Sequence, residues 1–273
     1  MTTTLRPTGP LQQGADGAKA RTYDVCVNSR PVGAIGLATH DVFGPEVCRV
    51  TDLRIAGPDR RRGRGTVAAL AAEEVARGWG CRRIEAEVPA AAGAALHLAT
   101  ALGYVERNRR MAKPLAEVPP LLDGIEWRAM TEDDYGPWQA HAWEEYARSW
   151  TERGVPEAQA YEMARTDRER LLPQGLGTPD ARLSVLTWRG DKVGILWIAL
   201  EADAALIHKV EVDAEHRGQG HGRSLMLVAE AQGIAAGRGR IGLNVFAGNT
   251  PALRLYESLG YEPTSFCLYK PLL

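Results

Sequence analysis

An internal repeat constrains the fold of this chain more than any other feature of its sequence. The segment Ala86–Tyr104 (AEVPAAAGAALHLATALGY) aligns without gaps with Leu243–Tyr261 (LNVFAGNTPALRLYESLGY), at an offset of 157 residues. From Thr51 to Leu115 the same offset gives 20 identities in 65 aligned positions. A fixed offset of this kind is the signature of two copies of one folding unit.

The conserved spacing of three short motifs supports this interpretation. The pattern R-x-x-G-x-G occurs at Arg60–Gly65 and at Arg217–Gly222, and the tripeptides L-G-Y and K-P-L recur in the same register. A bias toward alanine and glycine does not generate one shared register for three different motifs. We therefore predict two domains, residues 1–118 and residues 119–273, joined around the proline-containing stretch Ala116–Gly124.

The sequence pattern of each copy predicts a strand, a glycine-rich turn, a helix, a strand, a helix and a strand, in that order. In the second copy the patterns predict strands at Ala205–Val212 and Ile241–Phe246 and a helix at Arg223–Ala236. Asn249 or Thr250 caps a further helix that ends at Leu259. This alternation predicts an α/β fold made of two tandem units.

The two copies differ upstream of the glycine-rich turn. In the second copy we predict helices at Trp138–Arg153 and Glu157–Leu172, followed by a hairpin of Arg182–Trp188 and Val193–Leu200. The first copy has only the glycine-rich segment Gly9–Ala20 at the corresponding place, so we predict that it lacks both helices.

Composition excludes several classes of protein. No run of about 18 apolar residues indicates a membrane span, and the polar N-terminal segment does not resemble a signal peptide, so we expect a cytoplasmic protein without a membrane partner. The four cysteines are scattered and predict reduced thiols rather than disulfides or a zinc site, and we expect no metal. A net charge of −1 without a basic stripe argues against nucleic acid as a partner.

The glycine-rich turns predict anion binding. Glycines let backbone N–H groups approach a ligand, the following helix N-terminus adds positive potential, and the preceding arginine suits a pyrophosphate. The P-loop lysine is absent, and Gly218-x-Gly220-x-Gly222 does not have the spacing of the dinucleotide fingerprint. By itself R-x-x-G-x-G is a weak indication of an anion site. Its place between a predicted strand and a predicted helix strengthens that indication.

The second copy resembles the GNAT superfamily of N-acetyltransferases. The resemblance lies in V-D-A-E-H-R-G-Q-G-H-G and N-V-F-A-G-N-T-P-A-L-R-L-Y-E-S-L-G-Y, and it extends more weakly to the first copy. It implies units with a mixed, partly splayed sheet flanked by helices, and acetyl-CoA as the cosubstrate that enters the splay. The residues that the resemblance implies for acetyl-CoA binding are Val210, Val212, Arg217, Gly218, Gln219, Gly220, His221, Gly222, Arg223, Ser224, Asn244 and Asn249.

Two residues are the candidate catalytic groups. The resemblance places Tyr256 near the sulfur, where a phenol with a reference pKa of about 10 suits protonation of a thiolate. Glu211 lies on the strand beside the expected acetyl site and is the candidate base, acting through water; the alternative is an outward-facing carboxylate. His208, His216 and His221 have neither triad nor metal spacing and are interpreted as structural or surface residues.

The acceptor site is expected in the tryptophan-rich region of the second copy. Six of the seven tryptophans fall between Trp127 and Trp197, several of them on the helix predicted from Trp138. In the family this region forms the acceptor pocket, and its aromatic and acidic side chains suit an amine or an aromatic substrate. The alternative is that most of these tryptophans belong to the core.

The first copy lacks the candidate catalytic groups. At the offset of 157, Ala99 stands in place of Tyr256, Ala92 in place of Asn249 and Arg54 in place of Glu211. Two interpretations remain open for this copy: a second acetyl-CoA site without catalysis, or a structural partner with a vestigial loop. The loop in question consists of Arg60, Arg61, Arg62, Gly63, Arg64 and Gly65.

Two functions follow as hypotheses. The first is an N-acetyltransferase acting on the primary amine of a small molecule, in antibiotic metabolism or resistance. The alternative is a non-catalytic regulator that binds acetyl-CoA. Tyr256, Asn249 and a full glycine-rich loop in one copy favour the enzyme.

Overall fold

A computed structural model describes residues 2–117, 120–152 and 155–272. The helices are α1 (Arg64–Gly78), α2 (Gly93–Ala101), α3 (Glu132–Thr151), α4 (Glu157–Leu171), α5 (His221–Ala235) and α6 (Thr250–Ser258). The strands are β1 (Thr3–Pro7), β2 (Gln12–Gln13), β3 (Lys19–Val27), β4 (Arg30–His40), β5 (Gly44–Ile55), β6 (Arg83–Pro89), β7 (Val105–Pro114), β8 (Ile125–Ala129), β9 (Ala181–Trp188), β10 (Asp191–Leu200), β11 (Ala204–Val212), β12 (Arg240–Phe246) and β13 (Glu262–Pro271).

The chain forms two compact units. The first comprises Met1–Arg110 together with Pro263–Leu273, and the second comprises Met111–Glu262. The boundary that the sequence predicts, between residues 118 and 119, lies outside the described residues and stays a prediction.

The first unit is a mixed sheet with two helices. Its strands follow the order β1-β3-β4-β5-β6-β13, with β2 beside β3. β5 and β6 are parallel, and the other described pairs of this sheet are antiparallel. Its core is apolar and includes the fully buried side chains of Val25, Ile35 and Ile84.

The second unit repeats this plan and adds two helices. Its sheet runs β12-β11-β10-β9-β8, with a parallel β11–β12 pair and antiparallel pairs elsewhere along that order. Leu196, Leu225, Met226 and Ile241 are among the side chains that α5 and the sheet bury together. Helices α3 and α4 pack on each other, and Tyr135 and Trp138 of α3 belong to a separate apolar cluster with β9 and β10.

The repeat predicted from the sequence is confirmed at the level of single residues. The bounds of α5, β12, α6 and β13 lie 157 residues after those of α1, β6, α2 and β7, at both ends of each element. The mixed α/β fold predicted for both copies is confirmed as well. Between β1 and β3 the described chain contains no helix, as expected, although β2 and the first residues of β3 replace part of the predicted loop.

Helix α3 begins six residues before the predicted start at Trp138. A capping box explains the earlier start, because the Asp134 carboxylate accepts hydrogen bonds from the Thr131 backbone N–H (2.9 Å) and hydroxyl (2.7 Å). Pro137 lies inside the helix, where a proline is normally read as a boundary. The predicted end at Arg153 lies outside the described residues.

The last segment of each sequence copy belongs to the unit of the other copy. In the second unit the Leu115 N–H donates to the Gly239 carbonyl (2.9 Å), and in the first unit Leu272 donates to Arg82 (2.7 Å). These two bonds occupy equivalent positions of the repeat. The first K-P-L tripeptide therefore lies in the second unit, and the second K-P-L tripeptide lies in the first unit. The sequence does not reveal this exchange.

Each exchanged segment brings a lysine to a buried glutamate. Lys113 Nζ lies 2.9 Å from Glu230 Oε2 in the second unit, and Lys270 Nζ lies 2.7 Å from Glu73 Oε2 in the first. Both glutamates are almost fully buried. A buried carboxylate requires a paired cation, so these ion pairs fix the position of the exchanged segments.

We expect Lys113→Met to lower the free energy of unfolding by about 3–5 kcal/mol, because it leaves Glu230 charged, buried and unpaired. The double variant Lys113→Met/Glu230→Met should recover most of this loss, since it removes both charges. Urea denaturation measures the effect, with Arg148→Met as the control at an exposed ion pair with Glu144. A loss for Lys113→Met no larger than that of the control contradicts the assigned role.

Candidate active site

The parallel strands β11 and β12 separate partway along their length. Their paired positions run from Ala204 with Arg240 to Ile207 with Leu243, whereas β11 continues to Val212. Where β11 pairs with β10, it has a bulge at the position where β12 separates. Trp197 pairs with Lys209, but the next residue of β10, Ile198, pairs with Ile207. His208 is the extra residue of this bulge, so it marks the point where the strands splay.

The glycine-rich loop after β11 leads into α5. Gly218 and Gly220 have φ values of 77° and 90°, the left-handed region that favours glycine. A Cβ atom added at either position meets no protein atom within 4 Å. Arg217 Nε donates to the Val212 carbonyl at 3.2 Å and holds the loop to the end of β11. The loop thus presents backbone N–H groups and a helix N-terminus to open space, which fits a pyrophosphate.

The other residues expected at this loop have distinct surroundings. Arg223 donates to the Ser258 hydroxyl at 2.6 Å, and Gln219 donates to the Glu215 carbonyl at 3.2 Å. Ser224 and His221 are buried at the start of α5, whereas Asn244 is exposed on β12. Burial lowers the pKa of His221, and nearby His216 lowers it further.

A cavity of about 360 Å³ opens beside the splay, wholly within the second unit. It brings together three of the predicted residues: Val210 from β11, Asn249 and Tyr256. The remaining walls come from α3, α4, β10, β11 and β12. Their residues are Trp138, Ala142, Trp143, Glu145, Tyr146, Ser149, Asp167, Leu171, Trp197, His208, Lys209 and Phe246.

Tyr256 and Asn249 reach the cavity from α6. The Asn249 Oδ1 atom accepts a hydrogen bond from the Ala252 N–H (3.3 Å), so this residue caps the helix as the sequence predicts. Burial raises the pKa of Tyr256 above its usual value near 10. The phenol is therefore protonated at neutral pH, as a general acid must be.

Glu211 lies beside the cavity rather than in its described walls. Its Oε2 atom is 3.3 Å from Lys209 Nζ, and the same ammonium group pairs with Glu145 of α3. Two carboxylates thus share one lysine. Glu211 is therefore separated from the cavity, and a proton would reach it only through a bridging water.

His208 is a cavity residue that the sequence analysis had interpreted as structural. Its ring stacks on Trp197, with centroids 4.5 Å apart. Burial, followed by the charge of Arg170, lowers its pKa to about 4, so the ring is uncharged at neutral pH. Glu145 comes from the helix in which the sequence predicts the acceptor pocket. Asp167 and Lys209 were not predicted for the site, and the position of Asp167 depends on how α4 packs.

The first unit carries a similar loop but has other residues at the positions that correspond to Tyr256, Asn249 and Glu211. Gly63 has φ 72° and precedes α1, and Arg60 Nε donates to the Ile55 carbonyl (2.8 Å), as Arg217 does to Val212. Arg61 stands where the second copy has Gly218, and it adopts φ 58°, which costs an ordinary residue about 1 kcal/mol. A cavity of about 640 Å³ lies between this loop and α2, where Ala99 replaces Tyr256.

Three further features bear on function. Among the described residues, no helix combines the length and apolar character needed to span a bilayer. In the same part of the chain no cluster of three or more His, Cys, Asp or Glu side chains is arranged to hold a metal ion. The four cysteines are free thiols, and three of them are buried.

The sequence model of the acetyltransferase (GNAT) family matches this chain twice, at residues 5–104 and 135–261. Both copies of the internal repeat are therefore recognised as units of one family. The matched segments together cover most of the chain.

Individual relatives and a solved structure are also similar to this chain. The chain is 33% identical to the uncharacterized N-acetyltransferase YycN of Bacillus subtilis over 107 residues, 37% of this chain and 69% of the relative. It is 27% identical to mycothiol acetyltransferase of Mycolicibacterium smegmatis over 248 residues, 86% of this chain and 78% of the relative. A GCN5-related N-acetyltransferase from Sphaerobacter thermophilus has a similar fold, with a TM-score of 0.57 and 19% identity over 92% of this chain and 80% of that one.

Proposed function

Because the chain belongs to the acetyltransferase (GNAT) family and is an N-acetyltransferase, we propose that it acetylates the primary amine of a small molecule in its second unit. One observation carries this proposal: Tyr256, Asn249 and the splayed end of β11 share one cavity. The amine of an antibiotic is the first acceptor class to test, as the sequence analysis suggested.

Acetyl-CoA is the cosubstrate that fits the site. We infer that Arg217–Gly222 and the first turn of α5 hold its pyrophosphate, because Gly218 and Gly220 leave open space in front of their backbone N–H groups. Val210, Val212 and Asn249 are the residues proposed to hold the pantetheine arm. When bound, acetyl-CoA supplies a thioester, which is the electrophile.

Residues in and beside the cavity then transfer the protons of the reaction. The acceptor ammonium group first loses one proton to become the neutral nucleophile. Its nitrogen then forms an N–C bond while the C–S bond breaks, a second proton leaves the nitrogen for water, and the departing sulfur gains a proton. Tyr256 donates the proton to the sulfur, because burial keeps its phenol protonated. Glu211 accepts the proton of the amine through a water molecule, and Lys209 steadies its carboxylate.

Release of free thiol tests the proposal. The full chain is incubated with acetyl-CoA and a panel of primary amines that includes amine-bearing antibiotics, and a chromogenic thiol reagent follows the reaction. We expect amine-dependent thiol release with at least one member of the panel. Binding of acetyl-CoA without thiol release for any amine supports the alternative, a non-catalytic regulator.

The base can be tested through the pH profile. Glu211→Gln should shift activity toward higher pH, where more of the amine is already neutral and needs no base. The measurement is kcat/KM from pH 6 to pH 10, with Glu215→Gln as a control at an exposed glutamate. A Glu211→Gln profile that coincides with that of the parent removes this residue from the mechanism.

A further inference from the structure

Seven of the fifteen residues that line the cavity of the second unit carry an aromatic ring. Helix α3 contributes Trp138, Trp143 and Tyr146, β10 contributes Trp197 and β12 contributes Phe246. These rings hold each other in place. Trp197 makes edge-to-face contacts with Trp138 and Trp143, and Trp143 makes one with Tyr146, all with centroids 6.0 Å apart. Such a preformed set of ring faces and edges suits a flat, apolar guest.

The charged groups of the cavity are already paired within the protein. Lys209 pairs with Glu145 and Glu211, and Asp167 accepts hydrogen bonds from Arg170 (2.7 Å) and from the Tyr146 hydroxyl (2.8 Å). His208 adds no charge at neutral pH. A carboxylate on the acceptor would meet no unpaired cation among these groups, and a second ammonium group would meet no unpaired anion.

The charges of these groups nevertheless favour an acceptor that carries one positive charge. Within this group of three, the two glutamates outnumber Lys209 by one negative charge. One ammonium group of an incoming amine offsets it, whereas an acceptor with a carboxylate adds to it. This arrangement distinguishes a simple amine from an amino acid.

We propose that the acceptor is an arylalkylamine: one primary amine on an aromatic body that carries no carboxylate. The proposal rests on the proposed function and specifies its substrate class. The aromatic body occupies the space between α3 and β10, and the amine points toward the splayed end of β11.

Matched probes test the substrate class. The full chain is assayed for thiol release with tyramine, tyrosine, hexylamine, glucosamine and spermidine. Tyramine and tyrosine differ only by a carboxylate, and tyramine and hexylamine differ by the aromatic ring and its hydroxyl. We expect kcat/KM for tyramine to exceed that for each other probe by at least 10-fold. A kcat/KM for any of the other four probes that reaches or exceeds that for tyramine overturns the proposal while the proposed function stands.

A pair of tryptophan variants tests the walls of the cavity. Trp143→Leu should raise the KM for tyramine at least 10-fold and leave the KM for acetyl-CoA within 2-fold. Trp127→Leu is the matched control, because Trp127 is exposed on β8 outside the cavity. Equal effects of the two variants on the KM for tyramine contradict the assignment.

Calorimetry separates failure of this proposal from failure of the proposed function. Tyramine is titrated into the full chain in the presence of CoA. If no probe is turned over but tyramine binds, and Trp143→Leu weakens that binding at least 10-fold, the arylalkylamine site stands while the proposed catalysis fails. Absence of tyramine binding and of tyramine turnover overturns the site.

Discussion

Replacement of Gly220 by valine should abolish turnover. Gly220 lies at the N-terminus of α5 with φ 90°, and the space where a side chain would project is open in the protein. In the proposed site the pyrophosphate of acetyl-CoA occupies that space, so a valine side chain blocks the approach of the backbone to the phosphates. We expect thiol release to fall below detection and the affinity for acetyl-CoA to fall at least 100-fold.

The first unit provides a matched control at the equivalent position. Gly63 has φ 72°, precedes α1 and is surrounded by equally open space, so Gly63→Val imposes the same backbone strain. We expect this variant to keep kcat largely unchanged once circular dichroism shows that both variants are folded. It lowers the stoichiometry of acetyl-CoA binding only if the first unit also binds acetyl-CoA. Loss of turnover in a folded Gly63→Val variant, with turnover retained in Gly220→Val, places the active site in the other unit.

Tyr256→Phe should lower kcat by about 10-fold to 10⁴-fold, the range for general acid–base groups, with little change in the affinity for acetyl-CoA. The phenylalanine keeps the ring that lines the cavity and removes only the hydroxyl. The kinetics are measured under conditions in which chemistry limits the rate. Tyr161→Phe serves as the control, because Tyr161 is exposed on α4.

The outcome for Tyr256 is decisive for its role. An unchanged kcat means that another group protonates the sulfur. A drop in kcat that disappears at low pH, where solvent supplies the proton more readily, still supports the role of an acid. A rise in the KM for acetyl-CoA with kcat unchanged indicates instead that the hydroxyl only binds the cosubstrate.

Much of the fold could be predicted because the repeat carries local signals. Glycines at Gly220 and Gly260, the capping Asn249 and the periodicity of the apolar residues each mark an element boundary within the sequence itself. The same signals recur 157 residues apart, so each copy supports the interpretation of the other. The start of α3 was missed because a proline usually marks a boundary, and here the Thr131–Asp134 cap outweighs it.

Other features depend on contacts that are distant along the chain. The pairing of Lys113 with Glu230 joins residues that lie 117 positions apart, and no local pattern indicates that the two copies exchange their last segments. The cavity residues Glu145 and Asp167 come from helices whose packing the sequence leaves open. The place of His208 in the cavity wall depends on a bulge in β11, and a bulge is not visible in the alternation of apolar residues.

Transfer of an isotopic label tests the central claim most directly. Acetyl-CoA labelled with ¹³C in its acetyl group is incubated with the full chain and the amine panel, and mass spectrometry identifies the labelled product. We predict label on the primary amine of an acceptor with the parent and with Gly63→Val, and no label with Gly220→Val. Absence of label from every amine, or label transfer by Gly220→Val but not by a folded Gly63→Val, contradicts an acetyltransferase with its active site in the second unit.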